Sequence, residues 1–159
     1  MCIRDRHNTA AVCGTWWRAD INVDGTPRGY GVYEVDGNQV KWLYKSAGYP
    51  KEHQLHVYQA GSSDEYPSDI IANVWNWDEQ WKVEWYENGK RMGEMQRYKG
   101  YDPAAKAICS DKEKMKYEWI SPVLTEHLFH ATPRNKNAKI EVKVTDRFGN
   151  VYTEAVENK

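Results

Sequence analysis

Asn88-Gly89 sits between two runs of strand-like character, and this dipeptide restricts the fold of the chain more than any other feature. A type I′ turn needs positive φ at both central positions, which asparagine tolerates and glycine adopts freely. Ahead of it, Trp81, Val83 and Trp85 alternate with Lys82 and Glu84, the period-2 signature of a strand with one face in the core. The spacing predicts inward-facing indoles and a hairpin joining Trp81 to Glu87 with Arg91 to Tyr98.

The same alternation recurs between turn residues. Tyr30 to Val35 and Gln39 to Lys45 flank Asp36-Gly37-Asn38, and the second run sets Val40, Trp42 and Tyr44 against Lys41 and Lys45. Gln54 to Ala60 reads as a strand, Gly61 to Ser68 as a loop, and Asp69 to Trp77 as a strand paired in a second hairpin with Trp81 to Glu87. Later strands are expected over Glu126 to Ala131, Lys139 to Thr145 and Asn150 to Val156. A short helix is expected within 102–115, because Asp102-Pro103 supplies an N-cap and a first-turn proline. Short strands at these intervals without βαβ alternation predict an all-β fold. The expected form is an antiparallel two-sheet β-sandwich of immunoglobulin or fibronectin III character, with N-terminal hairpins and one short helix.

With 159 residues, 40% hydrophobic and 28% charged, the chain has the composition of one globular domain. Its net charge is −1 with acids and bases mixed throughout, so no basic footprint for nucleic acid is present. Its apolar runs fall far short of the roughly 20 residues that cross a bilayer. Met1 to Arg6 reads as an adapter-derived stub of a metagenomic reading frame and is set apart, leaving 7–159 as the expected domain and the localisation open. Without Cys2, the remaining Cys13 and Cys109 fit either one disulfide or two reduced thiols.

Catalytic signatures are missing: the chain has no G-x-S-x-G, Walker A, G-x-G-x-x-G or H-E-x-x-H. His53 and His56, and again His127 and His130, have H-x-x-H spacing, but on a strand positions i and i+3 face opposite ways, so neither pair is expected to chelate a metal. Trp16-Trp17 is the leading contact candidate. Consecutive strand residues face opposite sides, so one ring enters the core while the other either seals the sandwich edge or meets a ligand or another domain. Asp24, Pro27 and Tyr30, in the adjoining Asp24-Gly25-Thr26-Pro27-Arg28-Gly29-Tyr30 loop, would form a rigid surface beside that ring. Trp75 and Trp77 share a predicted face with Asn73 and either form an outward aromatic strip, suited to stacking on a glycan, or cover the other sheet.

These residues also carry a family likeness. Val12-Cys13-Gly14-Thr15-Trp16-Trp17, the Asp24 to Tyr30 loop, Asp36-Gly37-Asn38, Ile71-Ala72-Asn73-Val74-Trp75, Trp81-Lys82-Val83-Glu84, His127-Leu128 and Val144-Thr145-Asp146-Arg147-Phe148-Gly149 resemble the C-terminal domain of bacterial calcineurin-like phosphoesterases. The double tryptophan followed by D-G-x-P-x-G-Y is the distinctive part. The resemblance implies an exported or periplasmic protein of Bacteroides-like bacteria, in which this module follows a catalytic phosphoesterase domain holding two divalent metal ions. It implies no catalytic residue and no cofactor in this chain, since of the family's metal motifs only Asp5-Arg6-His7 matches one, alone and misplaced. The partner it implies is that catalytic domain, with a carbohydrate-binding role for the exposed aromatics as the alternative.

Overall fold

The computed structural model describes residues 9–15, 19–111, 117, 119–135 and 137–157. Trp16-Trp17 and the Met1 to Arg6 stub lie outside them.

The described residues build two four-stranded antiparallel sheets and a separate two-stranded ribbon. The ribbon pairs β1 (Gly29–Asp36) with β2 (Gln39–Ser46), the first expected hairpin. One large sheet contains β3 (His56–Tyr58), β4 (Ile70–Asn73), β7 (Gln96–Gly100) and β8 (Thr125–Ala131), in the order β3-β4-β8-β7. The other contains β5 (Lys82–Glu87), β6 (Lys90–Glu94), β9 (Lys139–Thr145) and β10 (Val151–Glu157), in the order β10-β9-β5-β6.

The sheets bury a common core. Leu55, Val57, Ile70, Ala72, Val74 and Phe129 from one side meet Trp81, Val83, Trp85, Ile140, Val142, Val144 and Tyr152 from the other. Each fully buried aliphatic side chain contributes roughly 1.5–3 kcal/mol by leaving water. The result is the expected antiparallel sandwich; an immunoglobulin or fibronectin strand order is a finer matter that this topology does not establish.

The Asn88-Gly89 turn forms as expected. Asn88 has φ 50° and Gly89 φ 80°, and Glu87 pairs with Lys90 across the turn. Asn88 also reaches sideways, its amide N–H donating to the Lys139 carbonyl at 2.8 Å and its side-chain oxygen accepting from the Lys139 N–H at 3.0 Å. Trp81, Val83 and Trp85 point inward as the alternation requires.

Two expected hairpins are corrected. The strand expected over Arg91 to Tyr98 is divided at buried Met95, with β6 beside β5 and β7 beside β8 in the opposite sheet. A bulge between Trp85 and Tyr86 bends the first pair toward that corner, a usual device where a strand changes sheets. Asp69 to Trp77 does not pair with Trp81 to Glu87 either. Strand β4 runs between β3 and β8 with all four residues buried, and the following segment crosses the sandwich to start β5. A strand covered on both faces belongs in a sheet centre, and a local hairpin would have left it at an edge.

Helix α1 (Pro103–Ser110) is shorter than the expected 102–115 span and ends at Asp111; residues 112–116 are outside the described set. Cys13 and Cys109 are free thiols, each partly exposed. Burial pushes the Cys109 thiol pKa up.

Candidate functional site

The Asp24 to Tyr30 segment is folded back on the sandwich instead of standing out from it. Its base is closed by the Asn22 N–H donating to the Thr26 carbonyl at 2.7 Å and the Gly25 N–H donating to the Asn22 carbonyl at 3.0 Å. Asp24 accepts the Thr26 N–H at 2.9 Å, an Asx turn that aspartate forms with the backbone two residues on. Gly25 has φ 82°, the left-handed region where glycine is favoured. It also lies directly on Asp102: a Cβ at Gly25 would come within 2.0 Å of the Asp102 carboxyl carbon.

Asp102 is fully buried and joins three elements. One carboxylate oxygen caps α1 by accepting the Ala105 N–H at 2.9 Å, and the other accepts from the Tyr58 hydroxyl at 2.9 Å and the Asn73 amide at 2.8 Å. Asn73 in turn donates to the Asp24 carbonyl at 3.1 Å, and its side-chain oxygen lies 2.7 Å from His127 Nδ1. His127 Nε2 is 3.7 Å from the Asp24 carboxylate. Burial alone would raise the Asp24 pKa, but the His127 imidazole and the Thr26 amide outweigh it and hold it below the ordinary aspartate value. The motif residues Asp24 and Gly25 are thus cemented to the sheet by a network whose polar groups satisfy one another, as buried polar groups must.

Beside this network lies a pocket of about 190 Å³, lined by Asp20, Ile21, Gly25, Pro27, Tyr49, His53, His56, Tyr58, Trp75 and Ala104. Tyr49 and His53 are stacked, with ring centroids 4.2 Å apart and an interplanar angle of 14°, and His53 packs on Trp75 at 4.9 Å. The Pro27 carbonyl behind the wall accepts the Tyr44 hydroxyl at 2.6 Å. Asp20 at the rim pairs with Arg28 at 3.2 Å.

Of the residues singled out from sequence, Pro27 and Trp75 come together in this pocket, and Asp24 is beside it. Tyr30 is exposed on the β1–β2 ribbon. Trp77 is half-buried against the sandwich core, edge-on to Phe129 at 5.7 Å and under the Arg97 guanidinium at 4.4 Å. Trp75 is 8% exposed. Of the two arrangements expected for Trp75 and Trp77, the outward strip is not the one seen: Trp75 packs on His53 and Trp77 against the sandwich core. Tyr49, Tyr58 and Asp20 were missed by sequence reading, since they come from three separate segments with no shared motif.

His127 and His130, both on β8, reach different partners as strand geometry predicts, whereas His53 precedes β3 and lines the same pocket as His56. His130 Nδ1 lies 2.6 Å from Asp69, which also accepts the Thr132 hydroxyl at 2.6 Å, while His127 serves Asn73 and Asp24. His56 Nδ1 lies 2.9 Å from Glu154 of β10, tying the edges of the two sheets. That hydrogen bond to Glu154 raises the His56 pKa, against burial; burial lowers that of His53. A raised histidine pKa stabilises the fold most below the unfolded value of about 6.5, and the contribution disappears as pH rises through the higher folded value. Both side chains are partly exposed, so Glu154→Gln should lower stability by about 0.5 kcal/mol at pH 6 and by nearly nothing at pH 9, measured as the difference in urea unfolding free energies. An equal effect at both pH values would show that the contact does not depend on His56 charge.

Among the described residues, no group of three or more His, Cys, Asp or Glu side chains is placed to hold a metal ion. No helix of the described residues is long and apolar enough to cross a membrane. A family model, the C terminal of Calcineurin-like phosphoesterase, matches residues 6–152. No curated protein and no solved structure matches the chain.

Proposed function

This chain belongs to the C-terminal domain family of calcineurin-like phosphoesterases, and from that premise we propose that it is a non-catalytic accessory domain that packs on the catalytic domain of its parent protein. The parent, in this reading, hydrolyses phosphoesters with two divalent metal ions held in the catalytic domain. The described residues of this chain offer no ligand set that fits such a pair, so no step of the reaction is assigned to them.

The observation that carries the reading is the β1–β2 ribbon. Tyr33 pairs with Trp42 and Val35 with Val40, and paired residues share a face of the ribbon. Trp42 anchors that face near the sandwich, edge-on to Phe148 at 5.0 Å with the Arg147 guanidinium 5.0 Å above its ring. Beside it Tyr33 is 44% exposed, and toward the tip Val35 and Val40 are 69% and 44% exposed. A lone two-stranded ribbon is marginally stable in water, and an apolar face left at its tip suits contact with another protein surface. Its position within the same polypeptide family makes the catalytic domain the natural occupant. Within the Asp24 to Tyr30 loop, also expected to make this contact, Gly25, Thr26 and Pro27 are buried within the domain; Trp16 and Trp17 lie outside the described residues.

The test is amide hydrogen exchange at Val35 and Val40, comparing this chain alone with a longer chain that includes the catalytic domain. Slower exchange in the longer chain is expected, and Val35→Lys with Val40→Lys should abolish the difference; equal exchange in both chains would refute the docking reading. This chain alone, given a generic aryl phosphoester and Mn²⁺, is expected to show no turnover above background. Sustained turnover would replace the accessory role with an enzymatic one.

A further inference from the structure

We propose that the pocket between the Asp20 to Pro27 segment and Trp75 binds an uncharged, hydroxylated ring the size of a single sugar unit. The proposal is independent of ribbon docking, since none of Tyr33, Val35 and Val40 lines this pocket.

Size sets the first limit. About 190 Å³ corresponds to roughly six water volumes at about 30 Å³ each, enough for one six-membered ring with its hydroxyls. Shape sets the second. Trp75, Tyr49, Tyr58 and Pro27 supply flat apolar walls, the kind of surface on which the C–H face of a saturated ring packs.

Polar chemistry then selects among ring-sized ligands. Trp75 Nε1 and His53 Nδ1 are buried and have no hydrogen-bond partner among the described groups, which is uncommon for buried nitrogens in a folded protein. The indole nitrogen is a donor only, and burial favours the neutral form of His53, which can give or take one hydrogen bond. Both are satisfied by hydroxyl groups. Both residues line the pocket, and Tyr49, stacked on His53 and 49% exposed, is the most accessible side chain of that wall.

Charged ligands fit less well. The lining residues include no lysine or arginine and Asp20 stands at the rim, while the cationic groups there, His56 and Arg28, are already paired with Glu154 and Asp20, so an anion would have to compete with carboxylates in place. A cation would be drawn to Asp20, but that carboxylate is already paired with Arg28 at 3.2 Å, and the Trp75 indole N–H, a donor only, would oppose it. A neutral polyol uses all of these groups: hydroxyl hydrogens for Asp20, hydroxyl oxygens for Trp75, and either for His53.

The experiment is a titration of the chain with glucose, galactose, mannose and N-acetylglucosamine, with tetramethylammonium and inorganic phosphate as contrasting probes. It is followed by the Trp75 indole N–H resonance and by the backbone amides of Ile21 and Ala104. A saturable shift with at least one neutral sugar and none with either ion is expected. Trp75→Phe keeps the ring while removing the N–H, and Tyr49→Ala alters an exposed wall; at least one should weaken binding about tenfold, the equivalent of about one hydrogen bond. Tyr49→Ala is expected to melt like the parent chain, so it decides the matter if Trp75→Phe fails to fold. No saturable shift with any of the sugars, saturation by either ion, or unchanged affinity in every folded variant would overturn the proposal.

Discussion

Asp102→Ala should lower the unfolding free energy by about 4 kcal/mol, a large effect for a single polar substitution. Loss of the cap on α1 accounts for about 1 kcal/mol. The larger part comes from the Tyr58 hydroxyl and one N–H of the Asn73 amide, which now share the Asp102 carboxylate at 2.9 and 2.8 Å and would lose that acceptor while buried, at about 1–3 kcal/mol each, although the amide keeps its bond to the Asp24 carbonyl. Asp102→Asn keeps one acceptor oxygen and should lose about half as much. Urea unfolding followed by tryptophan fluorescence measures both. A loss of only about 1 kcal/mol in Asp102→Ala would mean that the residue merely caps the helix and does not hold the loop, helix and sheet together.

Gly25→Ala should cost about 3 kcal/mol in the same measurement. Roughly 1–2 kcal/mol arises from placing a side chain at φ 82°. The remainder is collision, because the new methyl would lie 2.0 Å from the Asp102 carboxyl carbon, and that carboxylate is fixed by three hydrogen bonds and cannot swing aside. The two substitutions should therefore be coupled. In the Asp102→Ala background the obstruction is gone, and Gly25→Ala should retain only its conformational part, giving about 1–2 kcal/mol of non-additivity. Strict additivity would show that the contact between loop and carboxylate does not limit the fold.

Both predictions concern a motif whose importance was visible in the sequence and whose role was not. The spacing of Asp24, Gly25, Pro27 and Gly29 marks a constrained loop, and the expectation was a rigid external surface. The structure turns that loop inward. Its partners, Asp102, Asn73 and Tyr58, lie between 29 and 78 positions away in the chain, so no local periodicity links them. Pocket residues Tyr49, His53 and Trp75 were likewise scattered: the histidine drew notice for its spacing to His56, which concerned metal ligation and not the stack with Tyr49 that it forms.

What the sequence by itself determined was local: the Asn88-Gly89 turn, the inward faces of Trp81, Val83 and Trp85, the Asp102-Pro103 helix start, and the antiparallel character of the whole. These follow from φ preferences and from side chains alternating along an extended backbone, which depend on near neighbours only. Tertiary structure decided which strands pair, that the Arg91 to Tyr98 run divides between sheets at Met95, and that Trp75 and Trp77 turn inward. Those outcomes depend on covering both faces of β4 and closing one core between two sheets, a condition set by distant segments together and written in no single stretch of the chain.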